Sequence, residues 1–191
     1  IEAAAGAIAT VVRERAAQLG IALPKVAPPP LKLETTNWRG DIANLLDDLR
    51  NTTEPVTLLK VGEPSSLSQK SAADSPILLL GDSNLIVFQK HSSGFRQHLE
   101  RALGIPIDQI AGEAGGPTAS RQALARQPER LKGKKLIIWL TAARLFVGSM
   151  DWSRVDLGPP SAKGEGSTSD PNVLRPSRRP CSPSRAPRQR G

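Results

Sequence analysis

The sequence predicts an α/β domain built on a parallel sheet, and three observations carry that prediction. Ile77–Leu80 is a run of four large aliphatic residues, and Lys135–Leu140, "KLIIWL", is a second apolar run. Both read as strands covered on two faces. Between them lie two helix patterns and a short candidate strand, so the order is strand, helix, strand, helix, strand. Parallel neighbours require such crossovers, and helices then cover the sheet.

Taken in chain order, Ile1–Leu19 is alanine-rich, with Ile8, Val11, Val12 and Leu19 near helical spacing and Gly20 as a stop. Ala22–Leu33 is extended, because Pro24 and Pro28–Pro30 forbid a helix. Gly40–Leu49 is a short amphipathic helix with Ile42, Leu45, Leu46 and Leu49 on one face, and Pro64–Pro76 is a loop. Ser93–Gly104 is a helix with Phe95, Leu99, Ala102 and Leu103 inward and Gly104 as its cap. Pro106–Ile110 is a short strand, and Gly115–Leu131 turns into a helix after Thr118 or Ser120.

Composition divides the 191 residues into a folded part, 1–157, and a tail, 158–191. Past Gly158 the apolar side chains are few, Val173 and Leu174 chief among them, so the tail cannot offset its ordering entropy and is expected to be disordered. The formal charge of +8 is inflated by Arg175, Arg178, Arg179, Arg185, Arg188 and Arg190 of that tail. A basic tail can meet phosphates, or it is a solvated terminus; no specific nucleic acid is expected as a partner. The lone Cys181 excludes a disulfide within the chain and a cysteine-based zinc site. No apolar run approaches the ~20 residues that span a bilayer, and no signal peptide is visible. The chain begins at Ile1, which reads as a cut end, so the sheet is expected to be incomplete at its N-terminal side.

The chemistry centres on "GDSN", Gly81–Asn84, directly after the first aliphatic run. Ligands of open parallel sheets bind beyond the carboxyl ends of the strands, where Ser83 sits. Gly81 permits close backbone approach, and Asp82 and Asn84 flank the serine. Such a turn can expose the hydroxyl and aim backbone N–H groups at an oxyanion. The same four residues also make an ordinary turn with no catalytic role.

Beyond that turn, "LLLGDSN" resembles the first block of SGNH (GDSL-type) esterases and acyltransferases. Together with "KKLIIWLTAARLF" (Lys134–Phe146) and "TTNWRGDIANLL" (Thr35–Leu46), it is similar to the SGNH-hydrolase-like domain of alginate O-acetylation proteins. The resemblance covers approximately Gly20 to Phe146. It implies a three-layer α/β/α domain that moves acetyl groups onto hydroxyls of an exported polysaccharide, through an acyl-serine, in the periplasm or beyond. The partners it implies are a polysaccharide acceptor and an acyl donor, for which a membrane acyl-carrier protein is one candidate. No cofactor and no metal are implied.

Residue by residue, the resemblance places the nucleophile at Ser83. The family's strand ending in Ile-Trp-Glu-Phe-x-x-Arg agrees at Ile138, Trp139 and Arg144, with Leu140 in place of the acid. Its Asp-Thr-His-Trp signature falls on Thr35, Thr36, Asn37 and Trp38, so the catalytic Asp and His positions hold Thr35 and Asn37. Threonine has no charge to orient an imidazole, and asparagine accepts no proton near neutral pH. Without a base a serine is a poor nucleophile, so activity is expected to be impaired. His91, eight residues past Ser83, is out of reach unless the chain doubles back, and His98 is expected at a surface or boundary. Gly112, Gly115 and Gly116 fall where the family has a glycine-rich turn, so an N–H there is a second oxyanion donor or the loop merely needs positive φ. Trp38, Trp139 and Arg144 are candidates for meeting a sugar, though Trp139 reads more readily as core and Trp38 as a surface residue.

Two functions remain open on this reading: an O-acetyltransferase-type domain with a weakened site, or a non-catalytic carbohydrate-binding or assembly module of the same fold. A simple carbohydrate esterase faces the same missing base. Deleting everything after Gly158 is expected to leave the thermal unfolding midpoint of the domain unchanged, since the tail has no core to contribute. Differential scanning calorimetry of the shortened and full chains checks this, and a clear fall in midpoint would move the boundary.

Overall fold

The computed structural model describes residues 1–40, 46–49, 51–62, 71–112, 118–147 and 152–158. The first helix, α1 (Glu2–Ala16), buries Ala5, Ala9, Val12 and Ala16. That stripe repeats at helical spacing, but it is made of small residues rather than of the larger aliphatics the sequence suggests. Val11 faces solvent and Ile8 is only partly buried. Alanines bring the backbone close to its partner helix, which is why they take the inner face. The helix ends in a Schellman closure: Ile21 N–H donates to the Ala16 carbonyl at 2.8 Å and Gly20 N–H to Ala17 at 3.2 Å. Gly20 supplies the positive φ of 62° that this closure needs.

The proline-rich stretch after it forms neither helix nor strand until β1 (Leu31–Trp38), which pairs antiparallel with β2 (Glu54–Val61) from Leu31↔Val61 to Trp38↔Glu54. Most of the helix expected over Gly40–Leu49 lies outside the described residues. Its described end is a single 3-10 turn, Asp47–Leu49, with Leu46 and Leu49 exposed rather than on a packed face. Of the expected loop Pro64–Pro76, the described end holds a 3-10 turn at Ala72–Asp74.

A second sheet carries the core. Its central strand β3 (Ile77–Gly81) lies parallel to both β4 (Asp108–Ala111) and β5 (Leu136–Leu140), in the order β4-β3-β5. All five residues of β3 are buried. Side chains alternate across the sheet. Ile77 and Leu79 join a cluster with Val12, Leu99, Leu103 and Ile107. On the opposite face, Leu78 and Leu80 meet Ile110 and Leu124. The first cluster lies under α1 and α2 (Phe95–Leu103), the second under α3 (Ala119–Ala125), which makes three layers. The α/β class with a parallel sheet is therefore present as the aliphatic runs predict.

Two expectations need correction. β5 is not covered on both faces: Leu136, Ile138 and Leu140 pack into the first cluster, while Ile137 and Trp139 are exposed on the other side. Within the described sheet β5 is an edge strand and α3 is too short to cover it. His98 is not at a boundary but is 3% exposed, because α2 turns it under β2 toward the Leu59 carbonyl. Burial pushes its imidazole pKa down, favouring the neutral form. Among the described residues, no helix is long and apolar enough to cross a membrane.

At Gly81 the strand is so close to its neighbours that a Cβ would overlap the Leu140 carbonyl oxygen and lie 2.7 Å from Leu85 Cδ1. Gly81→Ala is expected to destabilise the domain by about 1–3 kcal/mol through overpacking. A urea titration would show this as a lower midpoint at unchanged slope, whereas an unchanged midpoint would mean that β5 yields freely.

Candidate active site

β3 delivers the chain to Ser83 through two residues that leave little freedom. The Gly81 carbonyl accepts the Gly112 N–H at 2.9 Å, joining the ends of β3 and β4. Asp82 caps the 3-10 turn Ser83–Leu85, its Oδ1 accepting from the Asn84 N–H at 2.9 Å and from Asn84 Nδ2 at 2.7 Å. Its Oδ2 accepts the Ala142 N–H at 2.9 Å, which ties the turn to the segment after β5. Leu85, fully buried, anchors the far end of the turn. Burial alone would raise the Asp82 pKa. The N–H groups of Ala142 and Asn84, the Asn84 side-chain amide and the nearby charge of Arg144 outweigh it and hold the carboxyl below its usual value. A carboxylate so engaged is a cap and a tether rather than a base.

Ser83 itself is half-buried, and neither its hydroxyl nor its own N–H has a hydrogen-bond partner among the described residues. This leaves both free to face a bound group. The other donors expected near it are differently placed. Gly112 is packed against Ala119 and Ser120, where a Cβ would come within 3.1 Å of Ala119 Cβ, and its N–H is spent on Gly81. It closes the sheet and does not offer a free oxyanion donor, because the β4 register places Ala111 opposite Gly81 and its successor bonds back. Gly115 and Gly116 lie outside the described residues.

Thr35 and Asn37 stand on β1, two residues apart and therefore on one face, about 7 Å from each other. That face is exposed. The Thr35 hydroxyl shares a hydrogen bond with Thr57 across the hairpin at 3.0 Å, and Asn37 lies opposite Pro55. Trp38 is on the other face and packs edge-on against Phe88 at 4.7 Å, with His91 6.1 Å away. The hairpin is held to this segment by Val61 N–H donating to Ser92 at 2.9 Å and by the Ser93 hydroxyl donating to Leu59 at 2.8 Å. Phe88 and Ser92 both have positive φ, 58° and 54°, so the chain between the serine turn and α2 is strained where the hairpin docks. His91 belongs to the Trp38 contact, and no hydrogen bond between it and Ser83 occurs among the described residues.

Beyond β5, Arg144 is exposed in the turn Ala143–Phe146. Trp139 is exposed, and it meets residues that sequence reading did not single out: Trp152 at 5.9 Å, and Arg121, whose guanidinium lies 5.2 Å from its ring centre. A cavity of about 510 Å³ is lined by Gly20–Pro24, Asp74–Pro76, Ile105, Pro106 and Lys135. It lies at the amino ends of the strands, away from Ser83.

The family model described as "SGNH hydrolase-like domain, acetyltransferase AlgX" matches residues 2–142. Among solved structures, the O-acetyltransferase domain of Pseudomonas putida AlgJ is similar at a TM-score of 0.51 and 20% identity, over 81% of this chain and 52% of that one. Pseudomonas aeruginosa AlgX is similar at a TM-score of 0.44 and 21% identity, over 75% and 35%. The chain thus spans about half the length of the AlgJ domain, whose likeness supports the fold. No curated protein sequence matches it.

Because the folded Asp82 pKa lies below its ordinary 3.8, its contribution to stability is complete above that value and is lost as pH falls through the folded one. Asp82→Asn, with one acceptor oxygen instead of two, loses part of the tether at neutral pH. Urea midpoints measured from pH 7 downward should show a gap between wild type and variant that is constant above roughly pH 4 and closes below it. A gap that persists unchanged into strong acid would contradict the assignment.

Proposed function

The chain belongs to the AlgX family of SGNH hydrolase-like domains, and from that membership we propose that it is a polysaccharide O-acetyltransferase-type domain with Ser83 as its nucleophile. The observation that supports this reading most is the unengaged Ser83 hydroxyl on a clamped turn at the carboxyl end of the central parallel strand. In the proposed reaction Ser83 Oγ attacks the acetyl carbonyl of a donor, and the donor's leaving group departs with a proton. A hydroxyl of the acceptor glycan, alginate-like in this reading, then attacks the acetyl-serine and restores Ser83. The Ser83 N–H would steady the oxyanion of each step. The proposed setting is the periplasm or the cell exterior, with the acyl donor brought by a partner.

Both steps need a group that takes and returns a proton, and Thr35 and Asn37 are unsuited to it. Loss of such a base costs roughly 10²–10⁴-fold. That pair supports a second reading, a carbohydrate-binding or assembly module that kept the fold. A carbohydrate esterase, with water as the acceptor, would be limited in the same way.

One pair of variants separates these readings. Ser83→Ala is expected to abolish hydrolysis of an activated acetyl ester and labelling by a serine-directed phosphonate; turnover surviving it would put the chemistry elsewhere. Thr35→Asp with Asn37→His puts a base and its orienting carboxylate on one face of β1. That face is the open one, opposite Trp38, so the pair is expected to leave acetylesterase activity at background; a Ser83-dependent rise on the order of 10²-fold would mean that β1 turns this face to the serine and would favour the transferase.

A further inference from the structure

We propose that His98 makes the docking of the β1–β2 hairpin depend on pH: the neutral ring holds β2 against α2, and protonation releases the hairpin from the segment that follows the serine turn. The device serves a transferase and a binding module alike, because β1 carries Thr35, Asn37 and Trp38 under either reading.

The ring sits in the seam between hairpin and helices. His98 is 3% exposed and lies under β2, with a ring N–H donating to the Leu59 carbonyl. Its Nδ1 is buried and has no hydrogen-bond partner among the described residues, so the donor is Nε2 and the neutral ring carries its one proton there. The Leu59 carbonyl also accepts the Ser93 hydroxyl at 2.8 Å. A single β2 oxygen thus takes one donor from α2 and one from the segment before it. Beside it, Val61 N–H donates to the Ser92 carbonyl at 2.9 Å, and Trp38 packs on Phe88. The rest of the seam is thinly filled: a cavity of about 340 Å³ opens between β2, Phe88 and the start of α1, with His98 on its wall.

The docked state is built for the neutral ring alone. A proton added at Nδ1 makes a cation with two donors, and just one of them has an acceptor. Charge so deeply placed must be paired or hydrated. β2 faces the ring with the shared Leu59 carbonyl and, along the cavity, with Thr57 and Leu58; the segment after the serine turn faces it with Phe88 and Ser93. None of these side chains carries charge. From α1 come the exposed Glu2 and the amino group of Ile1, and from α2 itself comes Arg101, so one anion stands against two cations. Burial is the largest influence, and it lowers the imidazole pKa from its ordinary 6.5. Parting the hairpin from α2 hydrates the ring and removes that penalty. His98 therefore binds its proton more weakly when the hairpin is docked. Docking is fully favoured above the ordinary value and weakens as pH falls below it.

Val61 N–H reports the seam directly, since its bond crosses from β2 to Ser92. Amide hydrogen exchange of the full chain from pH 7 to about pH 5, expressed as protection factors so that intrinsic exchange cancels, tests the device. Val61 should lose up to about tenfold in protection for each pH unit below the ordinary imidazole value, while the amides of β3 keep theirs. The chain has two histidines, so His91→Gln leaves His98 as the sole imidazole. In that protein the ring should titrate below 6.5 by NMR, and the Val61 dependence should remain. His98→Gln supplies an amide donor for Leu59 that does not titrate, and Val61 protection should then be flat with pH. Where the glutamine fails to dock the hairpin, the His91→Gln protein decides alone. Flat Val61 protection in wild type, a dependence that vanishes in His91→Gln, or a His98 ring titrating at or above 6.5 would each overturn the switch. So would a dependence that survives in His98→Gln, which would assign it to another group such as Glu100, whose carboxyl pKa burial raises.

Discussion

Gly81 is where the β3, β4 and β5 chains converge. It lies so near the Leu140 carbonyl that a side chain would collide, and its own carbonyl takes the Gly112 N–H. Those two contacts hold the carboxyl ends of all three parallel strands together. They sit at the end of the register on either side of β3, whose strand alternation sends Ile77 and Leu79 to one core and Leu78 and Leu80 to the other. One missing Cβ therefore determines how tightly the sheet closes at the end where the serine emerges.

The hydrogen bonds just beyond Gly81 divide the local polar groups into those that build the turn and those left for chemistry. Asp82 accepts from two elements at once, and the charge this stabilises is the reason it cannot serve as a general base. Gly112 and the Asn84 N–H are likewise committed to structure. Among the described residues, the Ser83 hydroxyl and N–H and the buried Thr141 hydroxyl beside Ala142 are without partners.

The β1–β2 hairpin meets this region by a different route. It contributes no strand to the parallel sheet and instead docks through Trp38 on Phe88 and through backbone bonds to Ser92 and Ser93. The left-handed backbone at Phe88 and Ser92 is the local cost of that docking. Thr35 and Asn37 are left on the open face, where the Thr35 hydroxyl bonds Thr57 across the hairpin.

Features set by neighbouring residues in the chain were legible in the sequence. The aliphatic run of β3, the period of Phe95, Leu99 and Leu103 with its Gly104 cap, the Gly20 stop and the serine turn are of this kind. Each depends on a short-range period or on a φ that glycine alone adopts easily. β2 escaped notice, although the β-branched and aliphatic mix of Val56–Val61 was a usable signal, because Pro55 and Lys60 interrupt it and only pairing with β1 stabilises it. The one-sided exposure of β5, the burial of His98, the small-residue face of α1 and the commitment of the Gly112 N–H were decided by tertiary structure. Burial and hydrogen-bond partnership depend on what arrives from distant parts of the chain, and no local pattern records that.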